Sequence, residues 1–463
     1  MTRRLPVDPA PGPLEDFAAR FDDLFANRAQ RESFRRYLEG LLLPDERNKT
    51  LTALANTEPY VGAQRKEAQS LQWFLTESGW NPEEVNRRRV ELVLEDPVSA
   101  PNTSGALIID ETGDRKDGKA TAHVGKQYLG GIGKVDNGVV SVSSLYADER
   151  LYYPLEVEPF TPEHHFEGGR RRHLEFRTKL EIARELVEQA LEMEIPFRAV
   201  VADSLYGENL GFREALLEVD TPYVMALRPS HAWWALPEEI GNVWEAALAS
   251  PWDGPNDPGG WVALQRSFRD GRTEEWWALE AEGGPYGTQG PERLVVVSTD
   301  PQSLPEHSTS YLLTNLPAPD SGRAQKCQHP VADLAEVVRL YTLRVWIEQS
   351  YKQLKNSLGW AHYQVRKDLS IRRHWQLVCC AFTFCWWANA DLLRKEAPLG
   401  VVLQERTETP VGSEPSGRGK KEWRSATLTT TVLAKGSAGG EGMVGAVPNA
   451  HALLEGVLRE GPA

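Results

Sequence analysis

From about residue 98 onward, short segments rich in β-branched residues alternate with amphipathic helical patterns, and this alternation restricts the fold more than any other feature. The segments ALIID, VVSVSSLYA, RLYYPLEVEPF, FRAVVAD and PYVMALR predict strands, whereas EFRTKLEIARELVEQALEME and ENLGFREALLEV predict helices. Strands and helices that alternate in this way form a mixed sheet with helices packed on it. The sequence therefore predicts an α/β fold.

The rest of the 463-residue chain departs from this alternation, so we expect more than one packed unit. Helical periodicity without strands marks residues 1–97 as a helical N-terminal domain, and residues 98–227 form the first part of the α/β core. Tryptophan pairs, Gly/Pro loops and further strand patterns predict a β-rich insertion at 228–329. Core helices follow at 330–396, and the Gly-, Ser- and Thr-rich residues 397–463 predict a loosely ordered tail.

The net charge of −14 argues against a generally basic nucleic-acid binder, but the charge is unevenly distributed. Between Val337 and Trp375, eight Lys or Arg residues stand against two acids, which gives this stretch a net charge of +6. The basic residues are Arg339, Arg344, Lys352, Lys355, Arg366, Lys367, Arg372 and Arg373. This stretch can therefore face phosphate.

The composition also restricts the compartment. No apolar run approaches the ~20 residues of a membrane helix, and the N-terminus lacks the apolar stretch of a secretory signal. Three of the four cysteines lie in the apolar run LVCCAFTFCWW, without disulfide or zinc spacing, and are expected to be buried thiols. We expect a cytoplasmic protein with no membrane contact.

Two aspartates follow apolar strand patterns. Asp110 ends ALIID and Asp203 ends FRAVVAD, and a carboxylate at the end of a buried strand is held rigidly at an open sheet edge. A turn-forming or helix-capping aspartate is the alternative for either residue taken alone. The occurrence of both in one sheet favours a shared site.

A third acid lies in a helical pattern predicted from about Val331 to Leu358. Its polar face carries Tyr341, Arg344, Glu348, Lys352 and Lys355, next to an apolar stripe that can pack on the sheet. A solvated charged face is the alternative interpretation. Three carboxylates suit two hard divalent cations, Mg²⁺ or Mn²⁺, which promote phosphoryl transfer when about 3.5 to 4 Å apart.

This helix resembles the YREK signature of bacterial insertion-sequence transposases, because Tyr341, Arg344, Glu348 and Lys355 match its residue types and spacing. The segments IIDETG and VVADSLYG are similar to the first and second acid motifs of that family, and YLLTNL to its strand before the helix. The segment LGWAHYQVRKDLSIRRHW, which contains Arg366, is similar to the segment after it. The resemblance covers roughly residues 100 to 390.

The resemblance implies a DDE transposase with a ribonuclease H-like core, a β-rich insertion and an N-terminal DNA-binding domain. Asp110, Asp203 and Glu348 would be its catalytic metal ligands. The residues that would contact DNA phosphates are Tyr341, Arg344, Lys352, Lys355 and Arg366. The implied partners are the double-stranded transposon ends, the target DNA and a second copy of the chain, in a protein associated with the bacterial nucleoid.

Two other functions compete with this prediction. One is a domesticated, transposase-derived DNA-binding protein without transposition activity, and the presence of all three acids argues against it. The other is a carbohydrate-active hydrolase, which the acidity and the 15 tryptophans suggest. A hydrolase of that kind does not account for the Arg and Lys side chains on the acid-bearing helix.

Overall fold

The computed structural model describes residues 6–44, 47–59, 61–166, 176–235, 239–267, 273–281, 284–285, 292–388 and 401–403. These residues divide into two compact units. Unit 1 contains the described residues up to Val201 and those from Leu343 to 388. Unit 2 contains those from Ala202 to Thr342, together with 401–403.

The described helices and strands are given in chain order. The helices are α1 (Pro13–Ala19), α2 (Arg28–Leu42), α3 (Leu51–Leu54), α4 (Lys66–Thr76), α5 (Pro82–Glu95), α6 (Lys179–Glu192), α7 (Ser204–Gly207), α8 (Leu210–Glu218), α9 (Val243–Leu248), α10 (Leu334–Thr342), α11 (Val345–Asn356) and α12 (Asp368–Trp387). The strands are β1 (Ala106–Arg115), β2 (Gly125–Leu129), β3 (Lys134–Ala147), β4 (Tyr152–Phe160), β5 (Ala199–Ala202), β6 (Tyr223–Leu227), β7 (Ala232–Ala235), β8 (Glu239–Asn242), β9 (Val262–Ser267), β10 (Thr273–Ala281), β11 (Gly284–Pro285), β12 (Arg293–Ser298), β13 (Thr309–Thr314) and β14 (Val401–Leu403). The predicted α/β class is confirmed.

The sheet of unit 1 is organised around β3, which is long enough to pair with several strands. One edge of β3 pairs antiparallel with β1 over the whole length of β1. The other edge pairs with β2 over Lys134–Gly138 and with β4 over Val140–Ala147. Strand β5 follows β1 in the sheet order. Strand β2, a short strand whose residues alternate between buried and exposed, was not predicted from the sequence.

Helix α12 joins the N-terminal helices to the α/β elements of unit 1. It packs against α2, α4, α5 and β4, and nearly all of its residues are buried. Its cysteines Cys379, Cys380 and Cys385 are buried free thiols, as the sequence indicates. This apolar helix is covered on several sides, and the described residues of 1–97 belong to the same compact unit as β1 to β4.

The helix predicted over Val331–Leu358 is two helices, α10 and α11, so that prediction is wrong. The Thr342 hydroxyl donates to the main-chain oxygens of Val338 and Arg339, at 2.9 and 2.7 Å, and thereby competes with the helical hydrogen bonds. Residues 343 and 344 form a turn. The residues of the predicted apolar stripe are nevertheless all buried, namely Leu340 in α10 and Leu343, Ile347, Leu354 and Leu358 in or beside α11.

Unit 2 contains the strands that the sequence placed in the β-rich insertion. Strands β9, β10, β12 and β13 lie between β14, from the predicted tail, and β6, which the sequence placed in the α/β core, in the order β14-β9-β10-β12-β13-β6. Strands β11, β7 and β8 form a separate three-stranded sheet. Trp233 and Trp277 are buried in the core of this unit, and the Arg266 guanidinium lies 5.4 Å from the centre of the partly buried Trp276 ring. Trp233 and Trp277 therefore contribute to the packing of this unit.

The structure describes only a small part of the predicted C-terminal tail. Of the predicted tail 397–463, all but 401–403 lies outside the described residues. Among the described helices, none is both long and apolar enough to cross a membrane.

Candidate active site

Asp110 lies inside β1, at the point where the strand passes from the buried core toward the surface. The first five residues of the strand, Ala106 to Asp110, are buried, and those that follow are partly exposed. The sequence predicted that the strand ends at Asp110, but it continues to Arg115 because β3 offers pairing partners along its whole length. Asp110 pairs with Ser143 in this register. Its carboxylate is therefore carried by two hydrogen-bonded strands, and its side chain is 9% exposed.

Arg344 links Asp110 to Glu348. Its guanidinium donates to Asp110 Oδ2 at 2.8 Å and to Glu348 Oε1 at 3.2 Å. Because the guanidinium is a rigid planar fork, these two contacts keep the carboxylate oxygens within about 8 Å of each other. The Glu348 side chain is 52% exposed, so solvent and ligands can reach it. One positive charge thus offsets the repulsion between two acids that are 238 positions apart in the chain.

Tyr351, which was not among the residues predicted from the sequence, fixes the same helix to the same strand. Its hydroxyl donates to the main-chain oxygen of Asp110 at 3.1 Å and lies 2.5 Å from Ser143 Oγ. Burial of the hydroxyl, with Asp110 close by, raises the pKa of Tyr351 well above its usual value, so the group remains a neutral donor. Tyr351 could have been identified from its spacing, because it lies three residues after Glu348 and four before Lys355 and so belongs to the same side of the helix.

Lys355 extends this helix–strand contact toward the end of β1. Its ammonium forms an ion pair with Asp114 at 2.8 Å and donates to the main-chain oxygen of Gly113 at 3.0 Å. Further along, Lys116 donates to the main-chain oxygen of Ala361 at 2.7 Å. Burial lowers the pKa of Lys116 to about 8. Positive charges therefore follow β1 from Asp110 to the surface.

The remaining predicted phosphate-binding residues are placed differently. Arg344, Glu348 and Lys355 share one helical face, as the sequence predicted. Tyr341 does not belong to that face, because it lies in α10, before the helix break. Tyr341 is partly exposed in unit 2. Lys352 and Arg366 are exposed in unit 1.

Asp203 begins α7 in unit 2, directly after β5, as the sequence predicted for a residue at a strand end. Its Oδ1 accepts from the main-chain nitrogen of Leu205 at 2.9 Å, so the carboxylate caps this short helix. Asp203 therefore does cap a helix, as the alternative interpretation of the sequence proposed. A cap uses one carboxylate oxygen and is compatible with a metal-binding role for the group.

The donor chemistry of Asp110 and Glu348 suits a hard divalent cation. Carboxylate oxygens are the side-chain ligands that Mg²⁺ and Mn²⁺ prefer, and here both carboxylates already neutralise one cationic group, the Arg344 guanidinium. Within the described ranges, no three His, Cys, Asp or Glu side chains are grouped as a metal site. The structure thus brings together Asp110, Arg344 and Glu348, whereas Lys355 contacts β1 further along, at Gly113 and Asp114.

Known proteins resemble this chain over most of its length. A family model described as DDE superfamily endonuclease matches residues 20–276, a range that includes Asp110 and Asp203. A probable transposase for insertion sequence element IS701, from Microchaete diplosiphon, is 31% identical over 366 residues. That alignment covers 79% of this chain and 85% of the relative.

Proposed function

We propose that this chain, which belongs to the DDE endonuclease superfamily and to the IS701-type transposases within it, moves a DNA element by a cut-and-paste reaction. In this reaction the protein cleaves the transposon ends and joins them to target DNA. The mixed α/β fold, with helices packed on the sheet, is consistent with the ribonuclease H-like core of such enzymes. The observation that carries the proposal is the contact of Arg344 with both Asp110 and Glu348.

We assign Asp110, Asp203 and Glu348 as the ligands of two Mg²⁺ or Mn²⁺ ions. Held by these three carboxylates, two such ions would supply the charge needed to activate a water or a 3′-hydroxyl and to stabilise the leaving oxygen of the phosphodiester. Asp110 is held rigidly, because it belongs to a strand that is paired along its length. Glu348 is half exposed, so ions and DNA can reach its carboxylate. Asp203 joins this set on its motif and on its position after β5.

The DNA contacts are assigned to Tyr341, Arg344, Lys352, Lys355 and Arg366. Arginine binds a phosphate through a bidentate fork, and lysine acts as a point charge. The exposure of Lys352 and Arg366, and the position of Arg344 beside both acids, support this assignment. Such contacts release counterions, so DNA binding should weaken steeply as salt increases.

The assembly and its location follow from the same reaction. We propose that the N-terminal helices, residues 1–97, bind transposon-end DNA, and that two copies of the chain hold the paired ends. The protein would act in the cytoplasm, on the DNA of the nucleoid.

The test is cleavage of a duplex that carries the terminal inverted repeat found beside the coding sequence, in Mg²⁺ and in EDTA. The wild type should cut only with Mg²⁺, whereas Asp110→Asn and Glu348→Gln should bind the duplex and leave it intact. Two matched controls should retain cleavage. Glu111→Gln changes the neighbouring acid, which pairs with Lys179 at 2.8 Å, and Glu336→Gln changes an acid of α10 that pairs with Arg339.

Cleavage by either site variant at the wild-type rate would remove the assignment of that acid. A wild type that binds the repeat but neither cuts it nor joins it to target DNA in Mg²⁺ or Mn²⁺ would refute the proposed enzyme. That result would favour the alternative, a domesticated DNA-binding protein.

A further inference from the structure

The contact between α11 and β1 uses two kinds of oxygen on Asp110. Arg344 binds the carboxylate, whereas the Tyr351 hydroxyl donates to the main-chain oxygen. A cation that binds the carboxylate competes with Arg344 for the same atoms. The Tyr351 contact leaves the carboxylate available, so it can persist when a metal is bound.

Tyr351 also contacts the partner strand at the level of Asp110. Ser143, whose Oγ lies 2.5 Å from the Tyr351 hydroxyl, is the cross-strand partner of Asp110. The hydroxyl therefore meets both members of this residue pair. Glu348 lies one helical turn before Tyr351 on the same side of α11, so a shift of Tyr351 along β1 would carry Glu348 with it.

We propose that Tyr351 is a positioning residue that sets the spacing between the Asp110 and Glu348 carboxylates and thereby the affinity for divalent metal. This inference rests on the proposed function, which assigns those two acids as ligands. Groups that orient metal ligands typically change metal affinity roughly ten- to a hundredfold when they are mutated. We expect an effect in that range from the loss of one hydroxyl.

The test compares Tyr351→Phe with Tyr152→Phe in the full chain. The Tyr152 hydroxyl donates to Gln353 Oε1 at 3.0 Å, so the control removes a hydrogen bond from the same helix that does not involve Asp110. Equilibrium Mn²⁺ binding, measured by the electron paramagnetic resonance of free Mn²⁺ without DNA, should show a Kd about tenfold or more higher for Tyr351→Phe. It should be unchanged for Tyr152→Phe.

Cleavage provides a second readout. Tyr351→Phe should need a correspondingly higher Mg²⁺ concentration for half-maximal rate and should recover near the wild-type rate at saturating Mg²⁺. Its binding to end DNA in EDTA should match the wild type. Ser143→Ala, which removes the second contact of the phenol oxygen, should raise the Mn²⁺ Kd in the same direction by a smaller factor, and it remains informative if Tyr351→Phe does not fold.

A wild-type Mn²⁺ Kd in Tyr351→Phe, or an equal increase in Tyr152→Phe, would overturn the inference. If Tyr351→Phe does not fold, an unchanged Kd in Ser143→Ala would overturn it. The two proposals fail separately. A wild type that never cleaves refutes the proposed function, whereas a wild type that cleaves with the same metal dependence as Tyr351→Phe refutes only the role of Tyr351.

Discussion

Replacing His374 by glutamine should reduce the loss of unfolding free energy that unit 1 shows as the pH falls. His374 is fully buried, and its Nε2 faces the main-chain oxygens of Gly359 and Trp360 at 3.1 and 3.2 Å. Those oxygens can only accept, so Nε2 carries the proton and Nδ1 accepts from the Tyr37 hydroxyl at 2.7 Å. The neutral ring satisfies every one of these contacts, whereas the protonated ring places a second donor against Tyr37.

The expected magnitude follows from the shift in proton affinity. Burial lowers the pKa of His374 from 6.5 to about 3, a change to which the nearby Lys116 and His362 contribute. Because the unfolded chain binds the proton more readily, the contribution of His374 is complete above pH 6.5 and is lost as the pH falls toward 3. At pH 5 the loss amounts to about 2 kcal/mol of unfolding free energy.

Urea denaturation at pH 7.5 and pH 5 measures this loss, with tryptophan fluorescence as the signal. Trp360 and Trp375, whose ring centres lie 4.9 Å apart beside His374, are among the 15 tryptophans that contribute to this signal. Glutamine also offers a donor and an acceptor but does not titrate. The wild type should therefore lose about 2 kcal/mol more than His374→Gln between the two pH values, whatever their stabilities at pH 7.5.

Equal losses in the two proteins would refute the reasoning, because they would mean that His374 takes up a proton equally readily in the folded and unfolded chains. A larger loss in the variant would refute it as well. Histidine resonances followed by nuclear magnetic resonance provide an independent check, since the His374 ring should remain neutral in the folded protein at pH 5.

Two further predictions concern stability alone. In unit 2, Glu292→Ala should lower the free energy of unfolding in urea by about 3 to 5 kcal/mol, because it leaves the buried Arg213 guanidinium without its ion-pair partner. That guanidinium lies 2.8 Å from Glu292 and is 3% exposed. A cost below about 1 kcal/mol would show that the pair is solvated. In unit 1, Thr178→Ala should cost about 1 kcal/mol, because Thr178 and Glu181 form a capping box at the start of α6. Glu181→Gln keeps that box and should cost less in the same assay, and the reverse order would contradict the assignment.

Local patterns in the sequence were sufficient for the elements that carry the candidate site. An apolar run predicted β1, a segment rich in β-branched residues predicted β3, and an apolar strand pattern ending in an acid placed Asp203 directly after β5. The spacing of Arg344, Glu348 and Lys355 predicted one helical face, and Arg344 contacts both Glu348 and Asp110. These properties depend on periodicity over a few residues, and periodicity can be read from a single sequence.

Other features depended on contacts between distant parts of the chain. The extension of β1 beyond Asp110 required pairing with β3. The helix break after Thr342, in contrast, coincides with a local contact, in which the Thr342 hydroxyl donates to main-chain oxygens one turn back. Periodicity shows which side chains share a strand or a helical face. The contacts of Tyr351 with the main-chain oxygen of Asp110 and of Lys355 with Asp114 follow only from the packing of α11 on β1. The physical reason is that periodicity sets the direction of a side chain, whereas the register and packing of elements more than 200 positions apart set which atom it reaches.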